Sequence, residues 1–181
     1  MTGAKGKPAD LPSRAECLRI LREHGCEDEV VSHCEAVSAL AVKIAKKCRG
    51  NVHLVEIGGL LHDLGRCKSH TISHAVEGAK LATALKLPED IVKIIERHIG
   101  AGITSKGAER LGLPRKDYTP KTLEEKIVAH ADNLMSGSTR TGIEEAVANI
   151  ARKGEHEAAL KVLRLHEELS KACGTNIDNI V

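Results

Sequence analysis

The residues with the most chemical content are an adjacent histidine and aspartate, His62-Asp63. They end the most apolar stretch of the chain, which carries Leu54, Val55, Ile57, Leu60 and Leu61. An HD dipeptide alone is common by chance, so its company decides what it means. His33 lies in the preceding run with an apolar stripe, and His74 and His98 lie in the two that follow. Asp132 comes directly after Ala131 in a stretch carrying Ile127, Val128, Ala129 and Leu134. Each of these polar side chains sits among residues expected to be buried. Burying several imidazoles and carboxylates without partners is costly, and ligation of a shared metal ion removes that cost. Mixed histidine and carboxylate donors suit Fe, Mn, Co, Ni or Zn and do not choose between them.

The elements that must position these residues read as helices throughout. Ser13-x-x-Glu16 after Pro12 forms a capping box, and Gly25 ends the helix it opens. A second run covers about 27–48, with Val30, Val37, Leu40, Ala41, Ile44 and Ala45 at helical spacing and Gly50 closing it. Asn51 caps a third helix, 52–62, which is apolar nearly all round and so belongs at the centre of the domain. Gly65 is expected to stop it. Further helices are expected over 73–85, 88–98, 122–135, 142–152 and 155–173. Between His98 and Lys121 lies a long connection rich in glycine and proline, read as a lid over the site or an exposed insertion, with a slight lean to a lid. No stretch alternates at period two, so no sheet is expected.

With the helices in place, the order His33, His62-Asp63, His74, His98, Asp132 resembles the HD superfamily of metal-dependent phosphohydrolases. The local strings agree: His33-Cys-Glu-Ala-Val, Gly-Leu-Leu-His62-Asp63-Leu-Gly65-Arg66, His74-Ala-Val-Glu-Gly-Ala, Glu-Arg-His98-Ile-Gly and Ala-Asp132-Asn-Leu. The chain looks most like small archaeal HDIG-type proteins, and is similar to bacterial HD hydrolases that split dinucleoside polyphosphates. The resemblance implies a single all-α HD-type domain of roughly seven to nine helices over 13–181, after a flexible 1–12. It implies that His33, His62, Asp63 and Asp132 hold one divalent transition metal. His74 and His98 would hold a second, with Asp63 bridging. Two cations about 3.5–4 Å apart can share a hydroxide and polarise a phosphoryl oxygen. The implied substrate is a small phosphorylated molecule, a nucleotide. Asp63 and Arg66 are the implied catalytic residues, Arg66 standing where many members carry Lys. Arg66, His70 and Arg140 (with Ser138 beside it) are the implied substrate contacts. The same ligand set also serves a minority of dinuclear iron oxygenases in the superfamily. A non-catalytic, metal-stabilised nucleotide-binding module is the third class.

The remaining histidines read more plainly. His130 is two residues before Asp132 and is expected to support the site or face the surface. His24, His53, His156 and His166 are expected near helix ends or on polar faces. With 27 Lys and Arg against 25 Asp and Glu, one Tyr, no Phe and no Trp, the chain lacks both the basic excess and the stacking platforms of nucleic-acid binders. No nucleic-acid partner is therefore expected, and a homodimer is an allowed assembly. Six cysteines include no C-x-x-C pair. Cys17, Cys34 and Cys48 are expected to pack as small hydrophobes, and six free thiols point to a reducing cytoplasm. No signal peptide and no membrane span is expected.

Overall fold

A computed structural model describes residues 10–180. Of the segment expected to be flexible, residues 1–9 lie outside the described residues. Nine α-helices lie among the described residues: α1 (Arg14–Glu23), α2 (Asp28–Cys48), α3 (Val52–Leu61), α4 (His74–Ala84), α5 (Glu89–Arg97), α6 (Ser105–Arg110), α7 (Leu123–Asn133), α8 (Ile143–Arg152) and α9 (His156–Cys173). The all-α expectation holds. A 3-10 turn, Leu64–Cys67, connects α3 towards α4, and another, Ile177–Asn179, follows α9.

The local signals act as read at several ends. Ser13 and Glu16 exchange both hydrogen bonds of the capping box, and the Asn51 side chain accepts from Leu54 N at 3.1 Å. Both offset orphan amides of a helix start, each worth about 1 kcal/mol. The α2 end differs: Arg49, not Gly50, takes the left-handed conformation, with φ 60°. The long connection after His98 is also not free loop. Thr104 caps α6 within it, and Ile103, Ala108, Leu113 and Tyr118 pack with Val76 of α4 as a small separate core. The segment is thus a packed excursion rather than a loose lid.

A two-residue antiparallel pair, β1 (Met135–Ser136) and β2 (Thr139–Arg140), follows α7. No sheet was expected here, because two-residue strands are too short to show an alternating pattern.

Helix α3 lies at the centre. Val55, Ile57, Leu60 and Leu61 are fully buried. One aliphatic core joins α2 and α3 to α5, α7, α8 and α9, and the other joins α1, α2 and α3 to α4 and α5. Gly59 lets α2 and α3 touch backbone to backbone: a Cβ there would meet the Ser38 Cα at 2.7 Å. Close packing of this kind sets the spacing of the side chains at the helix ends, His62-Asp63 among them.

The cysteines depart from expectation. Cys17 and Cys34 are buried as small hydrophobes, and burial pushes the Cys17 thiol up to about 12. Cys48, however, is disulfide-bonded to Cys173, because the C-terminal ends of α2 and α9 meet at one edge of the core. Four thiols remain free among the described residues, so an argument from six free thiols to a reducing compartment does not stand. No helix among the described residues is long and apolar enough to cross a membrane.

Candidate metal centre

The six implied ligands converge from six elements. His33 comes from the first turns of α2, His62 caps the end of α3, and Asp63 begins the 3-10 turn. His74 opens α4, His98 caps α5, and Asp132 lies in the last turn of α7.

The distances divide the cluster in two around Asp63. On one side, His33 Nε2 lies 3.0 Å from Asp132 Oδ1 and 3.8 Å from Asp63 Oδ2. His62 Nε2 lies 3.6 Å from Asp132 Oδ1 and 3.7 Å from Asp63 Oδ2. On the other side, His74 Nε2 and His98 Nε2 lie 3.1 and 3.5 Å from Asp63 Oδ1. One carboxylate therefore presents one oxygen to each set. Donor atoms bound about 2.1 Å from a single ion sit roughly 3.0–3.4 Å apart at right or tetrahedral angles. The observed spacings bracket that range.

The protonation pattern makes the same point. Each of the four imidazoles places its Nδ1 on a backbone carbonyl: His33 on Gly137 at 2.8 Å, and His62, His74 and His98 on Gly59, Thr71 and Ile95 at 2.7 Å. A carbonyl only accepts, so each Nδ1 donates, and in the neutral ring each Nε2 turns a lone pair inwards. His74 Nε2 and His98 Nε2 then face each other lone pair to lone pair at 3.0 Å. His62 Nε2 is buried with no hydrogen-bond partner among the described residues. A cation satisfies all of these at once, so the residues present fit a metal.

Charge agrees with geometry. Burial favours neutral Asp63, and is outweighed by His62 and by hydrogen bonds with His74 and His98, which hold the carboxyl well below its usual range. Asp132 is held down likewise, burial being overcome by His33 and His62. Without a cation the two carboxylates draw protons onto imidazoles: His62 is pushed well up against its own burial, by Asp63 before other groups. A metal held by these residues would expel those protons.

Among the implied substrate contacts, Arg66 and His70 reach the site and Arg140 does not. Arg66 donates from Nε to Asp63 Oδ1 at 3.2 Å and from Nη1 to the His70 carbonyl at 3.1 Å. Arg66 and exposed His70 line a cavity of about 290 Å³ with His74, His98 and Asp132. Arg140 leaves the short β pair in the other direction. Its guanidinium donates to the carbonyls of Ile177, Asp178 and Ile180, pinning the C-terminal turn. His130 and His166 also differ from a surface reading: both are buried, joined Nε2 to Nδ1 at 3.0 Å, and His166 Nε2 continues to Asn176 Oδ1 at 3.0 Å.

The supporting role of several residues was not read from the sequence. Gly65 is not a helix stop, since its φ is not positive. Its role is close approach: a Cβ would fall 1.9 Å from the His74 carbonyl oxygen and 2.5 Å from Gly78 N. Arg97 binds Glu125 through both carboxylate oxygens at 3.1 and 2.9 Å, tying the end of α5, and so His98, to the start of α7. The carbonyls that hold His62, His74 and His98 all belong to the residue three positions earlier. Two of those histidines cap helix ends, where carbonyls lack helical partners, and that spacing was a readable signal.

The chain is 44% identical over 170 residues to a protein of Picrophilus torridus named tRNA (cytidine(56)-2'-O)-methyltransferase. The match covers 94% of this chain and 50% of that protein, so the chain spans about half the length of that relative. It is also 44% identical over 152 residues to uncharacterized protein MJ0778 of Methanocaldococcus jannaschii, covering 80% of this chain and 90% of the other. In fold it is similar to the HD domain of the phosphodiesterase PgpH of L. monocytogenes in complex with cyclic-di-AMP. That likeness has a TM-score of 0.54 and 17% identity, and covers 88% of this chain and 96% of the other. The family model described as HD domain matches residues 30–137, which hold all six converging ligands, and this chain belongs to that family.

Proposed function

We propose that this protein is a metal-dependent phosphohydrolase that cleaves a phosphoester or phosphoanhydride of a nucleotide-type substrate. The observation that carries the reading is Asp63, which turns one oxygen towards His33 and His62 and the other towards His74 and His98, beside a cavity edged by Arg66. Divalent cations held by these two sets (Fe, Mn, Co, Ni or Zn) would supply a water nucleophile at neutral pH and offset the charge of phosphoryl oxygens.

The chain's own residues do the rest. Asp63 keeps both sets in register. The backbone carbonyls of Gly137, Gly59, Thr71 and Ile95 fix the tautomer of every ligating imidazole. Arg66 has a planar fork suited to two phosphate oxygens, and its bond to Asp63 holds that fork at the cavity wall. His70 stands at the mouth and can donate to the part of the substrate that leaves. The PgpH domain binds cyclic-di-AMP and the Picrophilus relative is named for a tRNA. Both support a nucleotide-type substrate, and the second makes an RNA fragment a class to be tested despite the net charge of +2.

The test is a phosphate- and nucleotide-release screen over mononucleotides, dinucleoside polyphosphates and short oligonucleotides, with Mn, Fe, Co and Ni in turn. Turnover by the wild-type chain that disappears in Asp63→Ala supports the reading. A fully active Asp63→Ala protein, or oxygen-dependent turnover with no hydrolysis of any member, refutes it.

A further inference from the structure

We propose that the substrate is a phosphodiester gripped on both sides of the metal centre, with a second phosphate seated at Arg152 and Lys153. The claim about bond cleavage rests on the phosphohydrolase reading; the claim about the second phosphate stands on its own geometry.

Two cavities each have Asp132 on their wall. One is the 290 Å³ cavity of Arg66 and His70. The other, about 640 Å³, is lined by Asp132, Asn133, Ser136 and Thr141 and by Arg152 and Lys153, where α8 ends. Clefts of about 300–1,000 Å³ are typical of small-molecule sites. A phosphorus at the His/Asp cluster therefore has room for a substituent on each side. A phosphomonoester carries one organic substituent and leaves one cavity empty; a diester carries two.

The larger cavity is graded in charge. Asp132 is the one carboxylate on its wall among the described residues, and it lies at the metal end. Asn133, Ser136 and Thr141 provide neutral donors and acceptors, and Met135 and Ile150 a small apolar surface. The same wall carries two exposed cations, Arg152 and Lys153. Arg152 uses Nη2 on Asn149 Oδ1 at 2.6 Å and Nε on the Ala148 carbonyl at 3.3 Å, which steadies the guanidinium and leaves Nη1 for a ligand. Neutral polar groups between a metal centre and a paired cation suit a nucleoside with a phosphate at either end. Arg152 and Lys153 lie beyond residue 137, where the family match ends, so this arm belongs to the chain's own C-terminal helices. Hydrolysis would add one water across a P–O bond: phosphorus gains the water oxygen, the leaving oxygen takes a proton, and a monoester and an alcohol result.

The test compares the dinucleotides pApA and ApA on the Mn-loaded wild type and an Arg152→Ala/Lys153→Ala variant, by calorimetric binding and by turnover. The expected result is about tenfold tighter wild-type binding of pApA than of ApA, a difference the variant loses while its affinity for ApA is unchanged. In turnover the variant's defect on pApA should lie in KM rather than kcat. Equal wild-type binding of the two, or a preference kept by the variant, overturns the second-phosphate site. Cleavage of AMP as efficient as that of pApA overturns the two-sided grip. Selective binding with no cleavage of either dinucleotide supports the phosphate site and refutes the phosphohydrolase reading instead.

Discussion

Replacing Gly65 by alanine puts the packing behind the metal centre under direct load. The added Cβ would lie 1.9 Å from the His74 carbonyl oxygen, 2.8 Å from the His74 carbonyl carbon and 2.5 Å from Gly78 N. Comfortable separations are about 3.5 Å, so the 3-10 turn and α4 must part by on the order of 1 Å or more. Both surfaces are backbone, and no side chain can rotate away. Asp63 sits at the start of that turn and His74 on the first residue of α4, so the parting stretches the 3.1 Å between Asp63 Oδ1 and His74 Nε2. Overpacking of this kind costs about 1–3 kcal/mol, which in a chain of this size lowers Tm by roughly 3–10 °C. Loss of ligand alignment costs about 10–100-fold in metal affinity, and it should fall on the His74/His98 half. Thermal unfolding without metal reads the first effect, and competitive metal titration reads the second. A Gly65→Ala protein with wild-type Tm and two wild-type metal affinities would refute the reasoning. Gly78→Ala should be milder, because one of its close contacts is the Ile95 Cγ2 methyl at 2.8 Å, which can move.

Three further outcomes follow from the same geometry. Arg66→Ala should lower kcat/KM for the cleaved nucleotide about 100-fold while metal content stays unchanged; unchanged kinetics would remove Arg66 from the site. Cys173→Ser opens a cross-link between residues 125 apart in sequence, and should cost about 2–5 kcal/mol against the oxidised wild type in urea unfolding, and little against the reduced one. Burial, with His166 second, pushes His130 down to about 3. The unfolded chain then binds the extra proton below about pH 6.5, so this group's contribution is complete above pH 6.5 and is lost as pH falls towards 3. The loss is on the order of 5 kcal/mol. The stability gap between wild type and His130→Gln, measured in chelator, should narrow on acidification; an equal gap at pH 4.5 and pH 7.5 would show that His130 does not titrate this way.

The converging histidines and aspartates were legible because chemistry and burial conflict in the sequence. His62, Asp63, His98 and Asp132 interrupt apolar runs, and a polar side chain in such a run needs a partner. The helices were legible for the usual reason, that α2 and α3 carry their apolar residues at helical spacing between recognisable caps. What escaped depends on contacts between distant segments. Nothing local to Cys48 or Cys173 says that the ends of α2 and α9 meet. Gly65 looks like a helix stop until α4 lies against it. Arg140 is close to Asp132 in sequence, yet the short β pair turns it towards the C-terminal carbonyls. His166 sits on a helix rich in Lys and Glu, which hides that its own face is buried against α7.

Metal analysis of the protein and two variants tests the central claim, that Asp63 is shared by two cation sites. Each is purified without added metal, then saturated and freed of excess. Two equivalents per chain are expected for the wild type, one for His98→Ala and close to none for Asp63→Ala, with folding checked by circular dichroism. A folded Asp63→Ala protein that keeps two equivalents would contradict the bridge and the mechanism built on it.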